Sequence, residues 1–155
     1  MAGRTRTVTG AGIIATVALV LIFGNQAFTE WADRHTSAST GWGWFMRVLS
    51  WPRWTIGGPV RDMLRDDLRA LLLIAFVAVI LGMFGKAVSG GAGGFLLGWS
   101  ALIFASALAA FLTAFINSNA SLLGGFTAAA AGSTYGLFAG WIVGALTGTA
   151  KGAGS

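Results

Sequence analysis

Glycine occupies positions 132, 136, 140, 144, 148 and 152, every fourth residue through the last hydrophobic stretch, and Gly124 and Ala128 extend the register backwards. Each glycine inside a helix costs roughly 1 kcal/mol relative to alanine, so a helix with this stripe must recover the loss by letting another backbone come close. Lipid tails are as apolar as leucine, and helices among them associate by van der Waals contact at small-xxx-small surfaces. The pattern predicts a glycine zipper in a membrane helix. Four residues overshoot a full turn of a 3.6-residue helix by about 40°, so the stripe drifts. Two or three consecutive glycines are expected to meet one neighbour before the rest turn toward another, and this helix should touch at least two others. The preceding hydrophobic stretch offers a matching surface, with Gly90, Gly94 and Gly98 followed by Ala101, Ala105 and Ala109. An intramolecular hairpin is the first expected use of these surfaces, and self-association through what remains is the second. A compact monomeric bundle is the plainer alternative.

Hydrophobic residues make up 55% of the chain and charged ones 10%, against roughly 25% charged in a soluble domain. This is the composition of an integral membrane protein. In 155 residues it leaves room for a single membrane domain, 1–155, and no separate soluble one. With no cysteine, disulfides and thiolate chemistry are excluded. The net charge of +5 comes from arginines and lysines that flank the hydrophobic stretches, where orientation and lipid headgroups explain them better than nucleic acid does.

Four stretches, about 8–28, 68–84, 94–116 and 126–150, are long enough to cross a hydrocarbon core of about 30 Å. The first, behind Arg4 and Arg6, also fits a signal peptide, but the following GNQAFTE lacks an A-x-A cleavage pattern, so a retained helix is expected. Turns are expected at Gly57–Gly58–Pro59, over the glycine-rich 85–93, and at NSNAS, 117–121. Four crossings put both termini on one side. Arg4 and Arg6 before the first helix favour the cytoplasm, whereas Arg61, Arg65 and Arg69 before the second argue the reverse; the first helix usually dominates.

Residues 29–67 hold all five acidic residues and five of the seven tryptophans. Trp42, Trp44, Phe45, Val48, Leu49 and Trp51 predict a helix over 41–51 lying in the headgroup layer, capped by Thr40 and stopped by Pro52. An anchored irregular loop is the alternative. Trp42, Trp44, Trp51 and Trp54, with Arg61, Arg65 and Arg69, are the expected membrane-interface residues. After Pro59, the arginines of RDMLRDDLR share one ridge with Asp62 and Asp66 beside it, spaced to pair Asp62 with Arg65 and Asp66 with Arg69. Val60, Met63, Leu64, Leu68, Leu71 and Leu72 form the other face. The expectation is an amphipathic stem with a solvated ion-pair ridge, feeding the second span.

No ionisable residue falls near the middle of any expected span, which disfavours ion-coupled transport. Ser106, Thr113, Ser133, Thr134 and Tyr135 would be the hydroxyls lining a pore, though such groups more often bond one helix to another. SGGAGG at 89–94 lacks the lysine and serine of a phosphate loop, and Asp62 and Asp66 have arginines beside them. No catalytic, cofactor-binding or metal-binding residue is assigned. The helix-packing residues are Gly94, Gly98, Gly132, Gly136, Gly140, Gly144 and Gly148. The expected partners are membrane lipids, copies of the chain or other membrane proteins, without direct nucleic-acid binding or a small-molecule substrate.

In its Ala/Gly-rich character, its eight arginines to two lysines and runs like RDDLRALLLIAFVAVILG, the chain resembles the small membrane spread and transfer proteins of actinobacterial conjugative plasmids. That resemblance implies a part in moving plasmid DNA between or along hyphae, through oligomeric membrane assemblies working with a DNA-translocating ATPase. It carries over no functional residues. A holin- or channel-like pore former and a structural subunit of a respiratory or other membrane complex are the alternatives.

Overall fold

The computed structural model describes residues 2–54, 59–116 and 121–153, with side chains from Val8 onward. The described residues form six helices and no strand: α1 (Ala2–Phe23), α2 (Gln26–His35), α3 (Gly41–Leu49), α4 (Val60–Phe84), α5 (Gly90–Ala114) and α6 (Leu122–Gly152). Three of them, α4 to α6, are long and apolar enough to cross a membrane, and the bent pair α1–α2 makes a fourth if it is one broken span. Helix α5 pairs most extensively with α6 and also with α4, while α1 packs on α4 and α6. Residues 117–120 of the NSNAS turn and Gly57 and Gly58 lie outside the described residues, as do the side chains of Arg4 and Arg6.

Along the α5–α6 contact two backbones come close over several turns. A Cβ on Gly132 would lie 2.3 Å from the Ser106 carbonyl oxygen, one on Gly136 2.4 Å from Ile103 Cα, and one on Gly144 2.7 Å from the Phe95 carbonyl oxygen. Gly140 lies under the Trp99 indole and Gly148 against Gly91. From the α5 side, Gly94 abuts the Thr147 carbonyl and Gly98 the Val143 carbonyl. Thr147 fastens the seam by donating from Oγ1 to the Gly94 carbonyl at 2.8 Å. The stripe therefore does not turn away after two or three glycines: from 132 to 148 it stays on α5. Two helices crossing along their four-residue ridges wind about each other, and the winding absorbs the drift that a straight helix would show. Helix α6 still reaches α1 and α3, on its other faces. The register does not run back to Gly124. Gly124 is exposed in the turn capped by Ser121, and Gly125 takes the inward position against Phe111 and Phe115. Gly90 likewise stands in open space at a φ of +67°, as only glycine readily does, and Gly91 faces the seam in its place.

The first helix stops at Phe23 instead of running to residue 28, and α2 departs at 56°. Gly24 and Asn25 stop the helix locally, and tertiary contact holds the break. A Cβ on Gly24 would lie 2.3 Å from the Pro52 carbonyl oxygen, so the returning chain comes this close only against a glycine. Trp54 donates its indole N–H to the Val20 carbonyl and its backbone N–H to the Gly24 carbonyl, each at 3.0 Å. Asn25 then serves both helices. Its amide nitrogen donates to the Leu21 and Ile22 carbonyls, and its oxygen accepts from Phe28 N–H at the start of α2. Replacing Asn25 with alanine strips these bonds from two helix ends, and we expect a loss of about 1–2 kcal/mol, measured by thermal unfolding in detergent.

Helix α3 begins where the sequence expects it, with Thr40 Oγ1 accepting from Gly43 N–H at 3.1 Å, and ends at Leu49, short of Trp51. It packs on α6 and α2, burying Met46 and Leu49. Of the expected apolar face, Phe45, Val48 and Trp51 pack on the core, while Trp42 and Trp44 remain exposed.

As expected, helix α4 runs unbroken from Val60 into the second span; Ala70, Leu73, Val77 and Leu81 pack inside. Val60, Leu64, Leu68, Leu71, Val79 and Met83, spaced three or four apart or at multiples of that, point outward and are 42% to 70% exposed. From Arg65 on, the polar ridge points inward, while Arg61 and Asp62 at its start remain exposed. The Arg65, Asp66 and Arg69 side chains are only 25%, 16% and 15% exposed, so the ion-pair ridge is not a solvated one.

Candidate functional site

Ionisable groups turned inward on an otherwise apolar helix are costly unless paired, and each of these is. Asp66 stands between two arginines, accepting from Arg65 Nε at 3.0 Å with Arg69 Nη1 at 3.6 Å. Arg65 also reaches Asp62 at 3.4 Å. The two pairs expected from the spacing are both present. What the spacing does not reveal is the company Arg69 keeps: its Nε donates to Thr113 Oγ1 of α5 at 3.0 Å, and its guanidinium lies over the Trp51 ring, 5.6 Å from the centroid. Trp51 in turn packs on Tyr135 of α6, ring centroids 5.0 Å apart. The end of α3, the first half of α4 and the middle of α6 thus meet at one aromatic–arginine cluster, with α5 supplying the acceptor.

The structure divides the expected interface residues. Trp51, Arg65 and Arg69 belong to this cluster; Trp44 stands nearby, edge-on to Phe138 of α6 at 4.9 Å. Trp54 is used at the α1 break, and Trp42 and Arg61 face outward. Tyr135 is the residue that sequence reasoning misjudges. Considered there as a pore hydroxyl, it is the largest fully buried side chain among the described residues, and its hydroxyl has no partner. The other candidate pore hydroxyls bond back along their own helices: Ser106 to Leu102, Thr113 to Ala109, Ser133 to Ala129 and Thr134 to Ala130.

Beside the cluster, a cleft of about 370 Å³ opens between α3 and α6, with Trp44, Arg47, Trp51 and Tyr135 among its walls. Arg47 is tethered at its far end, donating to Asp33 at 2.7 Å. Its Nε is buried and without an acceptor. Among the described residues no three histidine or acidic side chains converge as metal ligands would.

Fold and site together define an all-helical protein whose long helices carry apolar outer faces, with Arg65, Asp66 and Arg69 of α4 turned inward. Comparison with protein families, with curated proteins and with solved structures gave no match.

Proposed function

We propose that this chain is a non-enzymatic, multi-span integral membrane protein that serves as a subunit of a larger membrane complex. The observation that carries the reading is the orientation of α4, with large aliphatic side chains outward and an arginine–aspartate ridge inward. In water that arrangement is unfavourable on both faces. In hydrocarbon it is the favourable one, because lipid solvates the outer stripe and pairing shields the charges from it. In this reading the seam glycines act as a glycine zipper closing the α5–α6 hairpin within one chain. Contact with other subunits, or with a second copy, then falls to the outer faces and to the α2–α3 lobe, where Trp42 is 63% exposed. Both termini lie on the cytoplasmic side. The part in plasmid transfer implied by the resemblance is a narrower form of the same reading, with a DNA-translocating ATPase among the partners.

Expressed with an affinity tag in a bacterium, the protein is expected to stay in the membrane pellet through an alkaline carbonate wash. In mild detergent it should bring down membrane proteins in stoichiometric amount. Recovery without partners, together with prompt loss of membrane potential on expression, would replace this reading with that of a pore former. Release by carbonate would end it altogether.

A further inference from the structure

We infer that the protein thins the bilayer on one side: the leaflet opposite the termini dips along the α2–α3 lobe to the level of mid-α6, while it stands at full height around α4 and α5. The inference rests on the membrane reading above and takes its measure from where the helices start and stop. One end of the bundle is flush. A Cβ on Gly12 would meet Leu81 and Thr147, one on Gly85 would lie 3.9 Å from Thr9 Oγ1, and Gly91 abuts Gly148. Lys86 and Lys151 mark the same end, with Lys151 Nζ donating to the Gly85 carbonyl at 3.0 Å.

The other end is stepped. From Gly85 back to Leu64, itself 61% exposed, is about 31 Å of helix, and from Gly91 to Ala114 about 35 Å, each enough for a hydrocarbon core of about 30 Å. From Thr9 to the break at Gly24 is only about 22 Å. The lobe that follows is not built for hydrocarbon. Glu30, Asp33, Arg34 and Arg53 are exposed, and residues 36–40 between α2 and α3 are non-helical, with Ser37 and Ser39 exposed. Lipid tails solvate neither charge nor open loop backbone. Yet the lobe packs beside the middle of α6, Trp44 on Phe138 and Trp51 on Tyr135, about 15–20 Å along the helix from Gly148. Trp31, Trp42 and Trp44 are exposed on it, as suits a headgroup layer at that level. The lobe is also fastened there by Trp54 N–H on the Gly24 carbonyl, so the bilayer adjusts to it: an apolar height short of the hydrocarbon thickness is met by local thinning at modest cost.

The chain has no cysteine, so single cysteines at the exposed positions Ala27, Trp44 and Phe104 can each carry a fluorophore. Phe104 of α5 follows Ile103, which abuts Gly136, and so stands near the height of Trp44 on a different helix. The full-length variants are reconstituted in phosphatidylcholine vesicles containing phosphatidylcholine with a nitroxide either on the headgroup or midway along an acyl chain. In Ala27→Cys and Trp44→Cys the headgroup nitroxide should quench more strongly; in Phe104→Cys the order should reverse, with the label about 10 Å deeper. Lobe labels as deep as the label at 104, or reached by aqueous iodide and by neither lipid, would overturn the inference and leave the membrane reading standing. A label at 104 reached only by iodide would remove the membrane reading as well.

Discussion

Alanine at Gly136 is expected to prevent the α5–α6 hairpin from closing in its native geometry. The added carbon would sit 2.4 Å from Ile103 Cα and 2.8 Å from its nitrogen, and neither is the end of a flexible side chain that could swing away. The backbones must separate instead, opening the contacts of Gly132 and Gly140 a turn to either side. Overpacking of this kind costs about 1–3 kcal/mol and more where the obstacle is main chain, so a loss of about 3 kcal/mol is expected for Gly136→Ala and likewise for Gly132→Ala. The opposite sign is expected at Gly82 of α4, where a new Cβ meets nothing within 4 Å. Relief of the helix penalty there should stabilise by about 0.5–1 kcal/mol. Equilibrium unfolding in detergent reads all three variants. If Gly136→Ala and Gly82→Ala shift stability alike, the seam does not depend on bare backbone.

Leucine in place of Asp66 should be the most damaging change at the aromatic–arginine cluster. It removes the negative charge between Arg65 and Arg69 and leaves two inward guanidinium groups, one of them reduced to Thr113 and a ring face. Breaking a buried pair from one side typically costs about 3–5 kcal/mol, because the orphaned charge keeps its desolvation penalty. Arg69→Leu should cost less, since Asp66 retains Arg65, which itself retains Asp62. The decisive variant is the double one. With Asp66 and Arg69 both replaced by leucine, the uncompensated charge at position 69 is gone, and stability should lie above that of Asp66→Leu alone. Neutralising Glu30, whose pair with Arg34 is exposed on both sides, should change stability by no more than about 0.5 kcal/mol. A double variant as damaged as the sum of its parts would mean the pair does not act as a unit.

Much of this fold is legible in the sequence. Hydrophobic runs mark the long helices, Thr40 and Pro52 bracket α3, and the small residues of the last two runs predict their pairing. What cannot be read is set by contacts distant along the chain. At the break, Gly24 and Asn25 are a local stop and cap, but the contacts of Pro52 and Trp54 that hold it, some thirty residues later, cannot be read from them. The two faces of α4 are visible as a pattern, but which face turns inward depends on whether the solvent is water or hydrocarbon. For the ridge at Arg65 and Arg69 the water rule gives the wrong sign. Glycine drift fails for a related reason: it is a property of a straight helix, and α6 is not obliged to remain straight beside α5. Tyr135 looks like an ordinary hydroxyl because nothing near it in sequence names Trp51, its neighbour from α3.

The bond from Trp54 N–H to the Gly24 carbonyl has a mechanical meaning. The chain leaves the bundle at residue 24 and comes back to the same spot thirty residues on, so the α2–α3 excursion is cinched at its base while α3 leans on α6. A subunit that tugs on this lobe loads α1 around Val20 to Asn25 and α6 around Tyr135 and Phe138 together.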